Sequence, residues 1–589
     1  SLYNAVDSGG SPKQSFLFNT VNGFLKPEFE EHPPYPDATS AIGGVPRCGP
    51  FRARCLADSL WDLKESLRAI GSDLVIRPGK VVDVIDAIFQ HFAADGFARG
   101  EVAGVWMARE ETTEEAREQR DLENLVRSKG KDFRLFSDEK YFMDDRDLPF
   151  KSIQELPDTY SDFRKSVEPL RLQPRKTLPR PTALPPLPPA EAIPPLRVEY
   201  SIPNDRESFL KKMLQPIESQ FQAFTKIDAI SGGHDFSASN GFRGGESNGL
   251  KRLLHFIESD AISSYENAKN APMGHEFTTK LSGYLAIGCI MARQIHEALR
   301  HYEDGEAANT PNQEQQALLK RFRGTAGFGC GENAGTKGIR QMLLWRDYFH
   351  PLARKHGNQL FALYGSRGRR TVHDGGDKKP DQHEWRQVAS SPNSPEKCKI
   401  RGIFERFVVG RTGMSFIDAS QRELLLTGYT SNRARQNVAF YLARLRIDWR
   451  LGAEWYECAL VDYDPASNWG NWQYVAGVGN DPREDRTFNP VKQAMDYDSK
   501  GEYIKQWIPE LHDLTVLDAQ GNGDKQMLLK LYQPCNLEPD ERRTMGLDGA
   551  DSVEDPLMKI DFSLEKPKRN NQGVRGQGRG RFNSGGSWR

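Results

Sequence analysis

Nine prolines crowd into residues 170–196, LRLQPRKTLPRPTALPPLPPAEAIPPL, and no other feature limits the fold of this chain as much. Proline fixes φ and removes an N–H donor, so this stretch can be neither a packed helix nor a sheet interior. It reads as an extended connector over 169–204, and the chain must fold as separate units on either side of it. A Pro-rich ligand for a signalling domain is the lesser alternative.

Upstream, residues 1–168 read as an α/β unit. FRARCLADSLWDLKESLRAIG has apolar residues at helical spacing and stops at Gly71. DLVIRPG follows as a short buried strand, VVDVIDAIFQHFAADG as a helix and EVAGVWMARE as a second strand. That alternation builds a parallel sheet. Before Gly49 the only strand-like run is SFLFNTV at 15–21.

Downstream, over 205–515, strand signals nearly vanish. LKRLLHFIESDAISSYENAKN, KLSGYLAIGCIMARQIHEALRHYE, IRQMLLWRDYFHPLARKHG and RQNVAFYLARLRID repeat apolar residues at three and four spacing, so this is a large all-α domain. Segments 304–338 and 365–399, rich in Gly and polar residues, read as mobile surface insertions. Residues 516–589 form a C-terminal extension. The formal net charge of −1 is unevenly spread: from Lys566 to Arg589 there are seven basic residues and no acid. That Arg/Gly tail cannot form a core, and Arg575, Arg579 and Arg581 suit contacts to phosphates and bases of single-stranded DNA or RNA. Seven scattered cysteines without a CxxC pair argue for thiols in a reducing compartment and against a zinc finger. No apolar run is long enough to span a membrane.

Three constellations carry chemistry. Thr278, Thr279 and Ser282 place hydroxyls where an amphipathic helix begins, a good setting for phosphate oxygens; an ordinary helix cap looks the same. TSNRARQN puts Asn432, Arg433 and Arg435 ahead of another helix, and an arginine there can bridge a carboxylate. LVDYDPASNWGNWQY, residues 460–474, crowds Asp462, Asp464, Asn468, Trp469, Trp472 and Tyr474 together. Its DxD pair admits a metal-dependent glycosyl transfer, but the all-helical surroundings argue against that, and no metal is expected. Taken together, the three suit a large, flat, phosphorylated ligand with redox chemistry.

The run SNRARQNVAFYLARLRIDWRLGAEWYECALVDYDPASNWGNWQYVAGVGNDPREDRTFN resembles the flavin-binding domain of the photolyase/cryptochrome family, and more narrowly its DASH-type cryptochromes. LPFKSIQELPDTYSDFRKSVEP, GGESNGLKRL, LLWRDYF and YDSKGEYIKQWIPEL resemble DASH segments as well. The resemblance implies FAD, with Tyr265, Thr278, Thr279, Lys280, Leu281 and Ser282 at the pyrophosphate. Arg346, Asp347, Asn432 and Arg435 would line the flavin ring, Arg435 bridging Asp462, with Asp464 bonded to the ring and Asn468 at its N5. Trp472 and Trp449 would relay electrons. Trp345 would stack on a pyrimidine dimer, with Met342, Gln436 and Tyr474 around it. It also implies 5,10-methenyltetrahydrofolate as an antenna, held by Glu115, with Glu110 second. The expected protein is a monomeric blue-light flavoprotein that repairs dimers in single-stranded DNA, or a photoreceptor on DNA or RNA with little repair.

The chain departs from the family in four ways. It lacks the opening strand and the RxDLRxxDN motif, so an incomplete N-terminus is expected. The outermost relay tryptophan is Phe407, which is far harder to oxidise. Met342 stands where a glutamate would bind the dimer, with Gln341 its only amide neighbour. Gln436 and Tyr474 replace Met and Trp, a change that suits single strands, which need no base flipping from a duplex.

Overall fold

The computed structural model describes residues 39–560, apart from 78, 95, 97–99, 137–140, 189–192, 196–201, 226–241, 269–277, 308–312, 367–384, 388–394 and 481–487. The run at 15–21 and the tail arginines Arg575, Arg579 and Arg581 lie outside the described residues.

The α/β unit begins with α1 (Pro50–Ala69), whose proline at the first position is pre-set for a helix. Next come α2 (Val81–Ala93), β1 (Gly104–Ala108), α3 (Thr113–Ser128) and β2 (Asp132–Phe136). β1 and β2 pair in parallel from Gly104↔Asp132 to Ala108↔Phe136, with α3 as the crossover. Phe89, Leu122, Val126 and Phe133 close the small core between helices and sheet.

The strand expected at DLVIRPG does not form. Residues 73–77 are extended but have no ladder partner among the described residues, and Asp73 is tied back to Lys64 and Arg68 of α1. A run of strand-forming residues becomes a strand only when a neighbouring chain takes up its N–H and C=O groups. β2 carried no expectation, because DFRLF is too short to show a clear period.

Segment 141–147 and α4 (Tyr160–Val167) dock the unit onto the helices, with the Phe142 and Met143 N–H groups donating to Asp347. The connector is non-helical, as its prolines require, yet it is pinned: Leu184 N–H donates to the Ile70 carbonyl, and Arg171 pairs with Glu303. Beyond it, α5 (Arg206–Thr225) packs on α1, Phe209, Met213 and Ile217 meeting Ala53, Ala57 and Trp61.

The all-α domain continues with α6 (Glu246–Glu258), α7 (Ala261–Ala268), α8 (Ser282–Ala286), α9 (Ala292–Asp304), α10 (Gln313–Phe322), α11 (Ala334–His356), α12 (Pro395–Val408), α13 (Ser415–Thr427), α14 (Asn432–Arg444), α15 (Trp449–Ala459), α16 (Pro465–Ala476), α17 (Pro490–Tyr497) and α18 (Glu502–Trp507). The centre of the domain is α15, buried along almost its whole length. Against it α16 crosses α11 closely at Gly470, where a Cβ would press into the Phe349 ring. The surface insertion expected at 304–338 is instead partly core: α10 buries Leu319 and Phe322, and Asn333 caps α11. Most of the second insertion lies outside the described residues, but Trp385 is buried beside the bridge that joins Arg386 to Ile447. The extension is also packed as far as 560. It forms α19 (Lys525–Tyr532), α20 (Pro539–Thr544) and α21 (Asp551–Glu554), and the Leu557 N–H donates to the Thr412 carbonyl. Among the described residues no helix is long and apolar enough to cross a membrane.

Candidate functional site

Four segments converge on one cavity of ≈330 Å³, within the size range of small-molecule sites. They are the 278–286 turn, one face of α11, the start of α14 and residues 462–475.

The 278–286 turn is built by side-chain bonds. Arg252 donates to the Thr279 carbonyl (2.9 Å), and Thr278 Oγ1 lies 3.0 Å from the Tyr429 hydroxyl. Thr278, Thr279, Leu281 and Ser282 line the cavity with Tyr265. Lys280 does not; its backbone is left-handed (φ 52°) and its ammonium lies over the Tyr429 ring. The long amphipathic helix expected here is also cut short. α8 has five residues and ends before Gly288, whose φ of 74° favours glycine. Hydroxyls and backbone, with little helix dipole, are therefore what this wall offers an anion.

The opposite wall holds two carboxylates, each with its own cation. Arg435 Nη2 donates to Asp462 Oδ2 at 3.0 Å, the bridge expected from sequence, while its Nε holds the Thr430 carbonyl. Burial opposes the Arg435 charge, but Asp462 beside it pushes its pKa above the ordinary value. Asp462 Oδ1 stays buried without a partner, as a ligand-facing acceptor would. Asp464 caps α16 by accepting from the Ser467 N–H (2.7 Å), and its Oδ2 lies 2.9 Å from His350 Nε2. Although burial would raise it, His350 and then Arg346 hold the Asp464 carboxyl well below the usual range. Both members of the DxD pair are thus committed to cations of the protein.

Arg346 and Asn432 also line the cavity, as expected. Asp347 does not: it is buried, accepting the 142–143 N–H groups, and burial pushes its pKa up to about 7. Asn468 is another correction. Its Nδ2 donates to the Ala453 carbonyl (3.0 Å), and Ser467 and Asn471 take the wall in its place. Helical spacing from Asp464 through 467, 471, 474 and 475 marks that face, a period the clustered aromatics obscured.

The dimer-contact candidates Trp345, Met342, Gln436 and Tyr474 line the same cavity. Trp345 has one face covered by Tyr160, stacked at 3.6 Å and 11°, and its edge meets Tyr474. Met342 is 38% exposed, whereas Gln341 is buried off the wall and cannot stand in for an acid. The relay candidates lie behind the wall. Trp472 packs edge-on to Tyr456 and against Gly452, three residues along α15 from Trp449. Trp449 donates to the Leu363 carbonyl and meets Trp469 edge-to-face at 5.9 Å. Phe407 is fully buried beside Phe404.

Comparison with known proteins decides what such a cavity belongs to. The family model described as the FAD binding domain of DNA photolyase matches residues 339–542, and that described as DNA photolyase matches 24–186. A Neurospora crassa protein named as a mitochondrial DASH cryptochrome is 43% identical over 558 residues, 93% of this chain and 70% of the relative. The cryptochrome DASH of Gloeobacter violaceus is 36% identical, over 86% of this chain and 82% of its own. The chain is a member of the DASH cryptochromes. Its fold agrees: the crystal structure of a Synechocystis cryptochrome is similar at a TM-score of 0.61 and 30% identity, covering 86% of this chain and 85% of that one. A photolyase of Agrobacterium tumefaciens shares the fold at 0.60 and 22%.

In this DASH cryptochrome a second cavity lies where the two units meet, lined by Ser40, Arg47, Glu114, Glu115, Phe361, Glu454, Glu457, Tyr463 and Trp469 among others. Glu115 is in it, and burial, then Glu114, pushes its pKa up to about 7. Glu110 is not. At ≈30 Å³ the void has room for little more than water, and its acids are already engaged, Arg47 bonding both Glu114 and Glu457. A pterin does not fit this arrangement.

Proposed function

We propose that this protein uses FAD and blue light to split cyclobutane pyrimidine dimers in single-stranded DNA. The observation that supports this reading is the shared cavity: Trp345, Gln436 and Tyr474 stand on one rim, and the FAD-binding wall of 278–282, Arg435 and Asp462 lies within the same space. The Asp462 Oδ1, without a donor among the described residues, and the cavity-lining hydroxyls of Thr278 and Ser282 fit a polar cofactor. Thr278, Thr279, Ser282, Arg435 and Asp462 would hold the FAD, whose reduced form would supply light-driven one-electron chemistry to the dimer, with the electron returned once both cyclobutane C–C bonds have opened.

The residues divide the remaining work. Thr278, Thr279 and Ser282 hold the anionic end of the cofactor. The Arg435–Asp462 bridge fixes the position of the ring's polar edge. Trp345, held by Tyr160 and Phe349, is the cavity-lining ring for a splayed base, and base–aromatic stacking of this kind contributes about 1–3 kcal/mol. A packed, water-excluding wall protects the reduced state. The folate takes no part in any of these steps.

Met342 favours the second reading, a light sensor with little repair, because an exposed thioether supplies no carboxylate to a dimer. The Arg/Gly tail would then tether the sensor to DNA or RNA. Illumination of the reduced protein with a dimer-containing single-stranded oligonucleotide separates the two. Repair predicts loss of dimer in wild type and at least tenfold less in Trp345→Ala, the cost of about 1.4 kcal/mol of lost stacking. Persistence of the dimer beside normal flavin photoreduction would leave only the sensor.

A further inference from the structure

One charge in the flavin cavity differs from the others in kind. Each of the two carboxylates of the wall, Asp462 and Asp464, has one nearest cation, and Arg346 acts on Asp464 as a second. For Asp462 it is Arg435, which stays charged at every accessible pH. For Asp464 it is His350, the only one of these groups whose charge can change near neutrality. Arg346 also lines the cavity, donates to the Leu285 carbonyl and adds a second, permanent positive charge that acts on Asp464.

His350 sits on α11, is buried, and bridges three elements. Its Nε2 is 2.9 Å from Asp464 Oδ2 at the start of α16, and its Nδ1 is 3.3 Å from the Tyr141 hydroxyl, which comes from the α/β unit. The Tyr141 ring also packs edge-on against it, with centroids 5.0 Å apart. The other charged groups of its surroundings are accounted for. Arg346, one turn earlier, lies over the same Tyr141 ring; Asp347 holds the 142–143 backbone; and Arg354, one turn later, pairs with Glu111 and Asp145.

We propose that His350 is a positioning residue which, as an imidazolium, neutralises Asp464 at the cavity wall and so makes the ease of reducing the bound flavin depend on pH. While His350 is charged, the Asp464 pair is neutral and an electron arriving on the flavin meets no net opposing charge. Once His350 loses its proton, Asp464 keeps only the weaker influence of Arg346, and its carboxylate opposes the added electron. Two like charges within several ångströms in a partly buried site oppose one another strongly enough to shift an equilibrium about tenfold or more. Reduction is therefore favoured at low pH and penalised at high pH, beyond the ordinary proton dependence of any flavin. Tyr141 sets the ring's tilt and gives the α/β unit a hand in the effect.

The inference rests on the assignment of FAD to this cavity. It is tested on the flavin-loaded full chain by redox titration in the dark, against dyes of known potential, from pH 5.5 to 9, with blue-light photoreduction by an added thiol as a second readout. His350→Arg makes the counter-charge permanent, and His350→Gln removes it with little change of volume. At low pH wild type should match His350→Arg; at high pH it should fall about tenfold below it in the reduced-to-oxidised ratio, approaching His350→Gln. If wild type and His350→Arg titrate in parallel at every pH, the inference is overturned, whatever His350→Gln does. A wild-type protein that purifies without flavin would instead remove the FAD assignment itself.

Discussion

The two cavities are built from much the same chemistry, yet one is open and the other closed. Each holds arginine beside carboxylates in a largely buried setting. In the flavin cavity the charges pair along the wall, Arg435 with Asp462 and His350, seconded by Arg346, with Asp464, and one oxygen of Asp462 is left without a donor among the described residues. In the cavity between the units, Arg47 is drawn inward to Glu457 (2.5 Å) and Glu114 (2.8 Å), and Glu454 is consumed by Ser40 and the Ile42 and Gly43 N–H groups. Groups that satisfy one another across a space close it. Groups that satisfy one another along a wall leave it for a ligand. The presence of an acid at the expected position says little until its other partners are known.

The contrast breaks most visibly at Arg435. Replacing it with methionine leaves Asp462 buried without a cation at the flavin's edge, where breaking a buried pair costs about 3–5 kcal/mol. Arg435→Met should lose FAD on gel filtration and bind it at least 100-fold more weakly by fluorescence titration. Retained, stoichiometric flavin would show that the Asp462 bridge does not organise the cavity. Arg47→Met in the other cavity should leave flavin in place and lower stability by about 3 kcal/mol at neutral pH. The sign with pH follows from Glu114, whose carboxyl lies at about 2 because Arg47 overcomes its burial. A depressed carboxyl contributes stability above its unfolded value and loses it as pH falls towards the folded one. The deficit of the variant should therefore shrink between pH 4.5 and 2, read as a narrowing gap in chemical-denaturation midpoints.

Much of the helical domain was legible because its amphipathic periods are long and uninterrupted: IRQMLLWRDYF and RQNVAFYLARLRID fall where α11 and α14 do. The Arg435–Asp462 bridge was legible only through the family resemblance, because two residues 27 apart in sequence carry no local sign of pairing. What failed was the orientation of single side chains. Asn468 is adjacent in sequence to the wall residue Ser467, but 100° of helical rotation turns it towards α15. The strand at 73–77 failed because a run of strand-forming residues does not reveal whether a neighbour will pair with it, and none does among the described residues. The insertion at 304–338 failed because its polar composition hides two apolar anchors, Leu319 and Phe322.

A smaller effect is expected at Glu454, where burial pushes the carboxyl up to about 7 and the bonds from Ser40 and Gly43 only partly offset it. A raised carboxyl costs stability as pH rises from its unfolded value near 4.5 through 7, then levels off. Glu454→Gln removes the charge and keeps one of the two accepting oxygens. It should flatten the fall in stability between pH 5 and 8, a difference on the order of 2 kcal/mol at the alkaline end. An unchanged slope in melting temperature against pH would assign the fall to another group.

The smallest effect belongs to Glu115, and it bears most directly on what the second cavity is for. Like Glu454 it is raised to about 7 by burial, but it is partly exposed and bonded to the Thr112 hydroxyl, so solvent screens much of the cost. Glu115→Gln should change stability by less than about 1 kcal/mol and FAD affinity by less than about twofold, because the flavin wall shares none of its partners. Its value lies in the absorption spectrum. If the cavity opens to admit a folate, the wild-type protein reconstituted with methenyltetrahydrofolate gains that chromophore's near-ultraviolet band, and Glu115→Gln loses it while keeping the flavin band. If wild type gains no such band, the void of ≈30 Å³ and the Arg47 pairs describe the cavity in solution as well, and Glu115 is a half-buried acid without a ligand.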